Sequence, residues 1–357
     1  MRGFEPMSEW TDLLKSIADT IYDYRAGDFP QPTSNHVARW IAQFDGEVQI
    51  PLLQEVDHVL KQTYFDKDRV VDYFNTRVKN EKITGDNPQA FWRSANFLCI
   101  QKNGHSQEEL LVLFAESLRE QLGIEIDDCG SKDGPFVYLD DTLFSGSRIG
   151  TDMSLWLQQD APQKTTVHFF VFAGHALGEW KMMDGVQKKA AAEGKKIDFH
   201  LWRAITFENR RSYRDKSEVL WPAVLPENAA LKKYCEQEKK FPFELRTPGQ
   251  QLKNNIFTSE EGRQLLEREF LLAGMRILSR CKEHKKVMRP LGFSYFGLGF
   301  GSMLVTFRNC PNNCPLALWW GDANADPSSP LGQWYPLLPR KTYSQGIVFD
   351  EAVFRNE

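Results

Sequence analysis

No stretch of this 357-residue chain approaches the roughly 20 consecutive apolar residues a membrane-spanning helix needs, which excludes a helical membrane protein. Glu5, Glu9 and Asp12 stand where a signal peptide would be basic and then apolar, so none is expected. Internal repeats and long low-complexity tracts are missing too, which excludes a repeat array. Charge of one sign is not in excess. The net charge of −4 gives no bulk attraction to nucleic acid and leaves only a local basic patch open. Six cysteines without a dense pattern fit reduced thiols in a cytoplasm better than a disulfide framework. A dinucleotide fingerprint is absent as well. Gly297, Gly299 and Gly301 are spaced G-x-G-x-G, and Met303 to Phe307 after them read as a strand, not a helix.

What is present describes a globular protein, with 41% hydrophobic and 26% charged residues over a length that suits two or three units. Ten tryptophans imply large packed surfaces or a partner interface. Residues 1–88 read as helical. Trp10, Leu13, Leu14, Ile17, Ile21 and Tyr24 fall at helical spacing; Ser34 caps a second helix; Pro51 starts a third; Asp66 or Asp68 caps a fourth. This region is either a small helical bundle or a helix-turn-helix module, and it shows no compact Arg/Lys recognition face.

From residue 89 the pattern alternates. Strands are expected at 96–100, 136–139, 165–172 and 196–202, with helices at 107–122, 149–157 and 179–193 between them. Such alternation implies a parallel sheet with right-handed crossovers and ligands at the C-terminal strand ends. The loops at 101–106, 140–148 and 173–178 should then converge on one edge. The second is the most informative. Phe136-Val137-Tyr138-Leu139 ends in Asp140-Asp141 and is followed by Ser145-Gly146-Ser147 and a helix. A loop of small residues that opens a helix suits an anion, because the first helical N–H groups are unpaired and the helix dipole favours negative charge. Carboxylates beside such a loop make sense if they hold hydroxyls or a metal that bridges to the ligand.

This stretch resembles the phosphoribosyl-diphosphate (PRPP) motif of type I phosphoribosyltransferases: an apolar strand, two acidic residues, three variable residues, then a hydroxyl-Gly-small-hydroxyl loop. The resemblance implies that Asp140 and Asp141, the candidate catalytic pair, take the ribose hydroxyls and that Ser145, Gly146 and Ser147 take the 5′-phosphate. Arg148 departs from the pattern, which has a hydroxyl residue there; it either adds a phosphate contact or obstructs the cradle. The earlier loop matches the family's pyrophosphate loop, with Lys102, Asn103, Gly104 and Ser106 as contacts. Mg²⁺ is the implied cofactor, and no residue is assigned to it. The family's β-hairpin and closing lid have no room between Gly123 and Pro135. His105 and His175 are candidate acid–base or ribose groups, or plain loop residues.

The implied fold is α/β. A parallel-sheet phosphoribosyltransferase-like core at 89–225 follows the helical region at 1–88 and precedes a C-terminal α+β extension at 226–357. In that extension Thr258 to Glu261 opens a helix through a capping box, and 291–307 and 316–320 read as β-segments. Cys310 and Cys314, with Cys281 and His284, give thin support for zinc, since C-x₃-C has no second clear pair. The Pro-, Gly- and Trp-rich stretch from Gly321 to Arg340 reads as a surface loop over the site or a grip on a partner. Glu208 to Arg214 is the sharpest basic cluster, either a phosphate contact or a charged turn.

The chain as a whole resembles a divergent, conflict-system branch of phosphoribosyltransferase-like proteins that includes retron-associated effectors. That likeness implies antiviral defence with a reverse transcriptase and its RNA–DNA as partner. Three readings stay open: an enzyme of the N-glycosidic bond acting on PRPP or a nucleotide; a catalytically silent nucleotide-sensing or partner-binding module; and a nucleic-acid-binding regulator acting through the N-terminal helices.

Overall fold

The computed structural model describes residues 5–101, 106–237, 244–248, 255–281, 288–294 and 297–340. The chain falls into two compact units. Among the described residues, one takes those up to Asp66 and those from Glu208 to Arg340; the other is Lys67–Phe207. Among the described residues no helix is long and apolar enough to cross a membrane.

The Lys67–Phe207 unit is α/β. Strands Asn96–Phe97, Phe136–Leu139, Lys164–Phe170 and Lys196–Trp202 pair in parallel, each beside the next in sequence. The last three resume after a short break as Thr142–Leu143, Ala173–His175 and Ile205–Phe207, again parallel. Backbone pairing continues across the break: Asp140 N–H donates to Phe170 O and Phe172 N–H to Asp141 O. Alternate side chains serve the two faces. Tyr138, Val167, Phe169 and Phe199 pack with Ile149, Met153 and Trp156 of the helix Ser147–Gln159, and with Met182 and Val186 of the helix Ala176–Ala192. Phe97 and Phe170 point to the other face and meet Phe114 of the helix Ser106–Leu122, at ring-centroid distances of 5.6 and 6.2 Å. Both faces are covered, which is why these strands read as near-continuous apolar runs.

This arrangement fixes where a ligand crevice lies. The three steps from strand to strand run the same way across the sheet. The first is bridged by a helix on one face and the next two by helices on the other, so the first crossover is opposite in hand to the rest. The expectation of uniformly right-handed crossovers therefore fails at one step. The helices change faces between Asn96–Phe97 and Phe136–Leu139, and open parallel sheets bind ligands at the C-terminal ends of such a pair. The link before Phe136 holds one 3₁₀ turn, Ile126–Asp128, and no hairpin. It is tied down by Gly130 N–H to Arg93 O and by Asn96 Nδ2 to Ser131 O, each at 2.9 Å.

In the other unit the helices Glu5–Thr20, Ser34–Ile41 and Gly46–Thr63 are the expected helical start. Their bounds differ from the pattern in instructive ways. Thr33, not Ser34, accepts from His36 N–H as the cap of the second helix. The third begins at Gly46 and carries Pro51 inside, where the missing N–H costs one bond near the helix start. Ser259 caps the helix Glu260–Arg280, because Thr258 is turned away to Glu55 through both its N–H and its hydroxyl. Leu316–Trp319 is a helical turn, not a strand, and the described strand between residues 291 and 307 is Val305–Thr306, paired with Tyr64–Phe65. A short apolar run carries no period to separate the two states.

The Trp- and Pro-rich stretch is packed rather than free. Trp334, Leu337 and Leu338 are buried, and the indoles of Trp40 and Trp334 both donate to Ala317 O, at 2.9 and 3.0 Å. Arginines of the basic cluster are answered by carboxylates, Arg210 by Glu208 and both Arg211 and Arg214 by Glu244, as in a charged turn. Cys310 and Cys314 are buried, and among the described residues no His, Cys, Asp and Glu cluster could hold a metal.

Candidate functional site

The Phe136–Leu139 strand delivers Asp140 and Asp141 to the sheet's C-terminal edge, beside the crevice. Asp140 is 3% exposed and Asp141 half-buried. Each carboxylate folds back on the chain. Asp140 Oδ1 accepts from Asp141 N–H at 3.0 Å, and Asp141 Oδ1 accepts from Thr142 N–H at 2.7 Å. These bonds orient both groups and leave Oδ2 of each outside them. Burial, and then the neighbouring charge of Asp141, push the Asp140 carboxyl up to about 7, against the opposing pull of Arg148, the Asp141 amide and Gln101.

The loop that follows is shaped for an anion. Gly146 has φ +76°, and a Cβ there would stand 2.7 Å from both Gly178 O and Met182 Cβ. Only glycine fits this turn. Ser145 Oγ accepts from Ser147 N–H at 3.2 Å and lies 3.1 Å from Ser147 Oγ. The helix Ser147–Gln159 then starts from Gly146, which has no side chain to cap it, and its first N–H, that of Ser147, is met by Ser145 Oγ. The N–H groups that follow Ser147, two hydroxyls and the dipole's positive end face the same place, the arrangement that receives a phosphate. Gly178, at the start of the neighbouring helix, sets the loop's position: a Cβ there would stand 1.9 Å from Phe144 O.

Of the predicted pyrophosphate-loop residues, Ser106 is brought to the acidic pair. Its hydroxyl lies 2.8 Å from Gln101 Oε1 and 3.4 Å from Asp140 Oδ1, and its single proton serves the nearer acceptor. Lys102, Asn103 and Gly104 lie outside the described residues, as does His105. His175 is described. It is buried with its ring edge-on to Phe144 at 5.0 Å, and burial pushes its pKa down to about 3. A neutral imidazole that holds protons so weakly is a poor base at pH 7; here it packs against the phosphate loop.

Sequence reasoning missed four residues. Gln107, almost fully buried, accepts from Ile100 N–H at 2.7 Å and Gln101 N–H at 3.1 Å through Oε1, and its Nε2 donates to Leu139 O at 3.4 Å. It thereby ties the first loop to the strand that carries the acids. Gln101 donates to Tyr138 Oη at 3.3 Å, and Tyr138 donates to Asp152 Oδ2 at 2.9 Å. Asp152 lies one helical turn beyond Arg148, on the same side of the helix. Arg148 is exposed, yet its charge is held: the surrounding protein works against it, and Asp140, Asp141, Tyr138 and Asp152 outweigh that.

The donors fit a protein-held Mg²⁺ poorly. There are two carboxylates and no third metal donor grouped with them among the described residues, and the buried one is close to half-protonated at neutral pH. Arg148 is near enough for its charge to act on both. Mg²⁺ asks for near-octahedral oxygen donors, so any ion here would have to be completed by waters and the ligand's own phosphates.

No curated protein and no solved structure matches the chain. A family model described as PRTase-CE matches residues 37–340, a span that includes the acidic pair, the phosphate loop and most of both compact units. With that match over most of its length, the chain belongs to the PRTase-CE family and is phosphoribosyltransferase-like.

Proposed function

We propose that this protein binds a 5-phosphoribosyl ligand, PRPP or a nucleotide, at the edge of its parallel sheet. Asp140 and Asp141 take the ribose diol through their outward oxygens. Ser145, Ser147 and the first N–H groups of the helix Ser147–Gln159 take the 5′-phosphate, and Ser106 lines the side where a diphosphate would lie. The observation that carries this reading is the pairing of a helix start on Gly146, flanked by two serine hydroxyls, with two backbone-oriented carboxylates at the point where the crossover helices change faces. Phosphate and diol lie at opposite ends of a ribose 5-phosphate, so one ligand spans both features.

Ligand binding without turnover is the form of the proposal that the geometry supports best. The link Gly123–Pro135 is pinned and short, and it offers no hairpin to exclude water from an oxocarbenium-like centre. Chemistry at the N-glycosidic bond is kept as the second reading because Asp140, held near neutrality, is the kind of group that active sites tune. Calorimetry with PRPP and with adenosine 5′-monophosphate, on the wild type and on Asp140→Asn/Asp141→Asn, tests the binding. Loss in the variant supports the reading, and no binding by the wild type sinks it. Release of pyrophosphate or free base on incubation would move the protein to the enzymatic reading. The defence role and its reverse-transcriptase partner with RNA–DNA rest on overall resemblance and on no single residue; co-purification with a co-expressed reverse transcriptase tests them.

A further inference from the structure

Two carboxylates and a phosphate in one crevice repel each other, and a cation must balance them. The phosphoribosyl reading, on which the role of Arg148 rests, leaves open where that cation comes from. Arg203, at the same sheet edge, is engaged by Glu179 at 3.0 Å. Arg148 is differently placed. It is the second residue of the helix whose start forms the phosphate site, next to Ser147 and directly after the left-handed Gly146. Asp152, four residues on, accepts from Tyr138 Oη, and Tyr138 stands two residues before Asp140 on the strand. Arg148, one turn before Asp152, therefore stands on the helix side that faces the strand of the acidic pair, next to the helix start, and it stays exposed to an incoming ligand.

We infer that Arg148 is the site's built-in counter-cation, so that the cradle takes a ribose 5-phosphate monoester without a divalent metal ion. In the free protein it answers Asp140 and Asp141. When the diol hydroxyls donate to those carboxylates, the guanidinium turns its fork to the 5′-phosphate, a geometry arginine matches in a bidentate way. A hydroxyl residue at this position would carry no charge to do this. The preferred ligand class is accordingly the nucleoside 5′-monophosphate or ribose 5-phosphate, whose single phosphate leaves the least charge for this one cation to offset. A 1-diphosphate adds charge at the far end of the ribose, beyond the helix start that Arg148 serves.

The test is calorimetry with ribose 5-phosphate and adenosine 5′-monophosphate, in EDTA and again with excess Mg²⁺, on the wild type, Arg148→Gln and Arg148→Lys. Circular dichroism confirms that each is folded. The wild type should bind both probes equally, within about twofold, with and without Mg²⁺. Arg148→Gln should lose about tenfold or more in EDTA and regain part of it with Mg²⁺, while Arg148→Lys keeps most of the affinity. Wild-type binding that requires Mg²⁺, or unchanged binding by Arg148→Gln in EDTA, overturns the inference and leaves the phosphoribosyl reading standing. No wild-type binding under either condition overturns both.

Discussion

Asp140 holds its proton more tightly in the folded chain than an exposed aspartate does, because its carboxylate is buried beside a second one. Linkage sets the sign of the consequence. A carboxyl raised from 3.8 to about 7 favours the folded state fully below pH 4, and that contribution is lost as pH rises through 7. Asp140→Asn removes the buried charge while its amide oxygen can still accept from Asp141 N–H. The variant is expected to melt near the wild-type temperature at pH 4 and above it at pH 8, by an amount on the order of 1–4 kcal/mol, while losing ligand affinity. Thermal melts at the two pH values check this, and a variant less stable at pH 8 would contradict it. Gly146 gives a second expectation. Gly146→Ala meets both a positive φ and two contacts at 2.7 Å, so it should cost about 1–3 kcal/mol in urea unfolding and displace the phosphate loop. Small residues made this loop legible in sequence. Gln101, Gln107, Tyr138 and Asp152 were not legible, since an isolated polar residue has no periodicity and its partners lie on other elements.

At the scale of elements, the site depends on how two loops are locked to one strand. Gln107, at the second position of the helix Ser106–Leu122, satisfies two N–H groups of the first loop and reaches a carbonyl of the strand that carries the acids. Gln107→Ala leaves those half-buried groups without this partner and should cost about 1–2 kcal/mol, with faster amide exchange at Ile100 and Gln101. An unchanged exchange rate there would show that the clamp is not needed. The sheet itself was readable because strands covered on both faces are continuous apolar runs. The hand of the first crossover was not, since it depends on which face receives Phe114, and no local pattern records that. The turn at Leu316–Trp319 shows the same limit on a smaller scale: four apolar residues suit either state, and tertiary packing decided.

For the whole molecule, the aromatic content belongs chiefly to interiors. Phe114 is fully buried and touches the rings of Phe74, Trp92, Phe97 and Phe170 within the Lys67–Phe207 unit. Phe114→Ala should destabilise that unit by about 3–5 kcal/mol, read as an earlier unfolding transition. Trp40 and Trp334 do the corresponding work in the other unit by sharing the Ala317 carbonyl. A reading in chain order has no means of showing that residues up to Asp66 share a unit with those from Glu208 on, because that union is made by contacts of large sequence separation. The central claim is that the start of the helix Ser147–Gln159, with Asp140 and Asp141, receives a phosphoribosyl group. Amide hydrogen exchange with and without ribose 5-phosphate tests it most directly. Exchange should slow across residues 141–150, with no such change for ribose or inorganic phosphate alone at the same concentration. Protection confined to other segments, or none across 141–150 at saturating ligand, would contradict it.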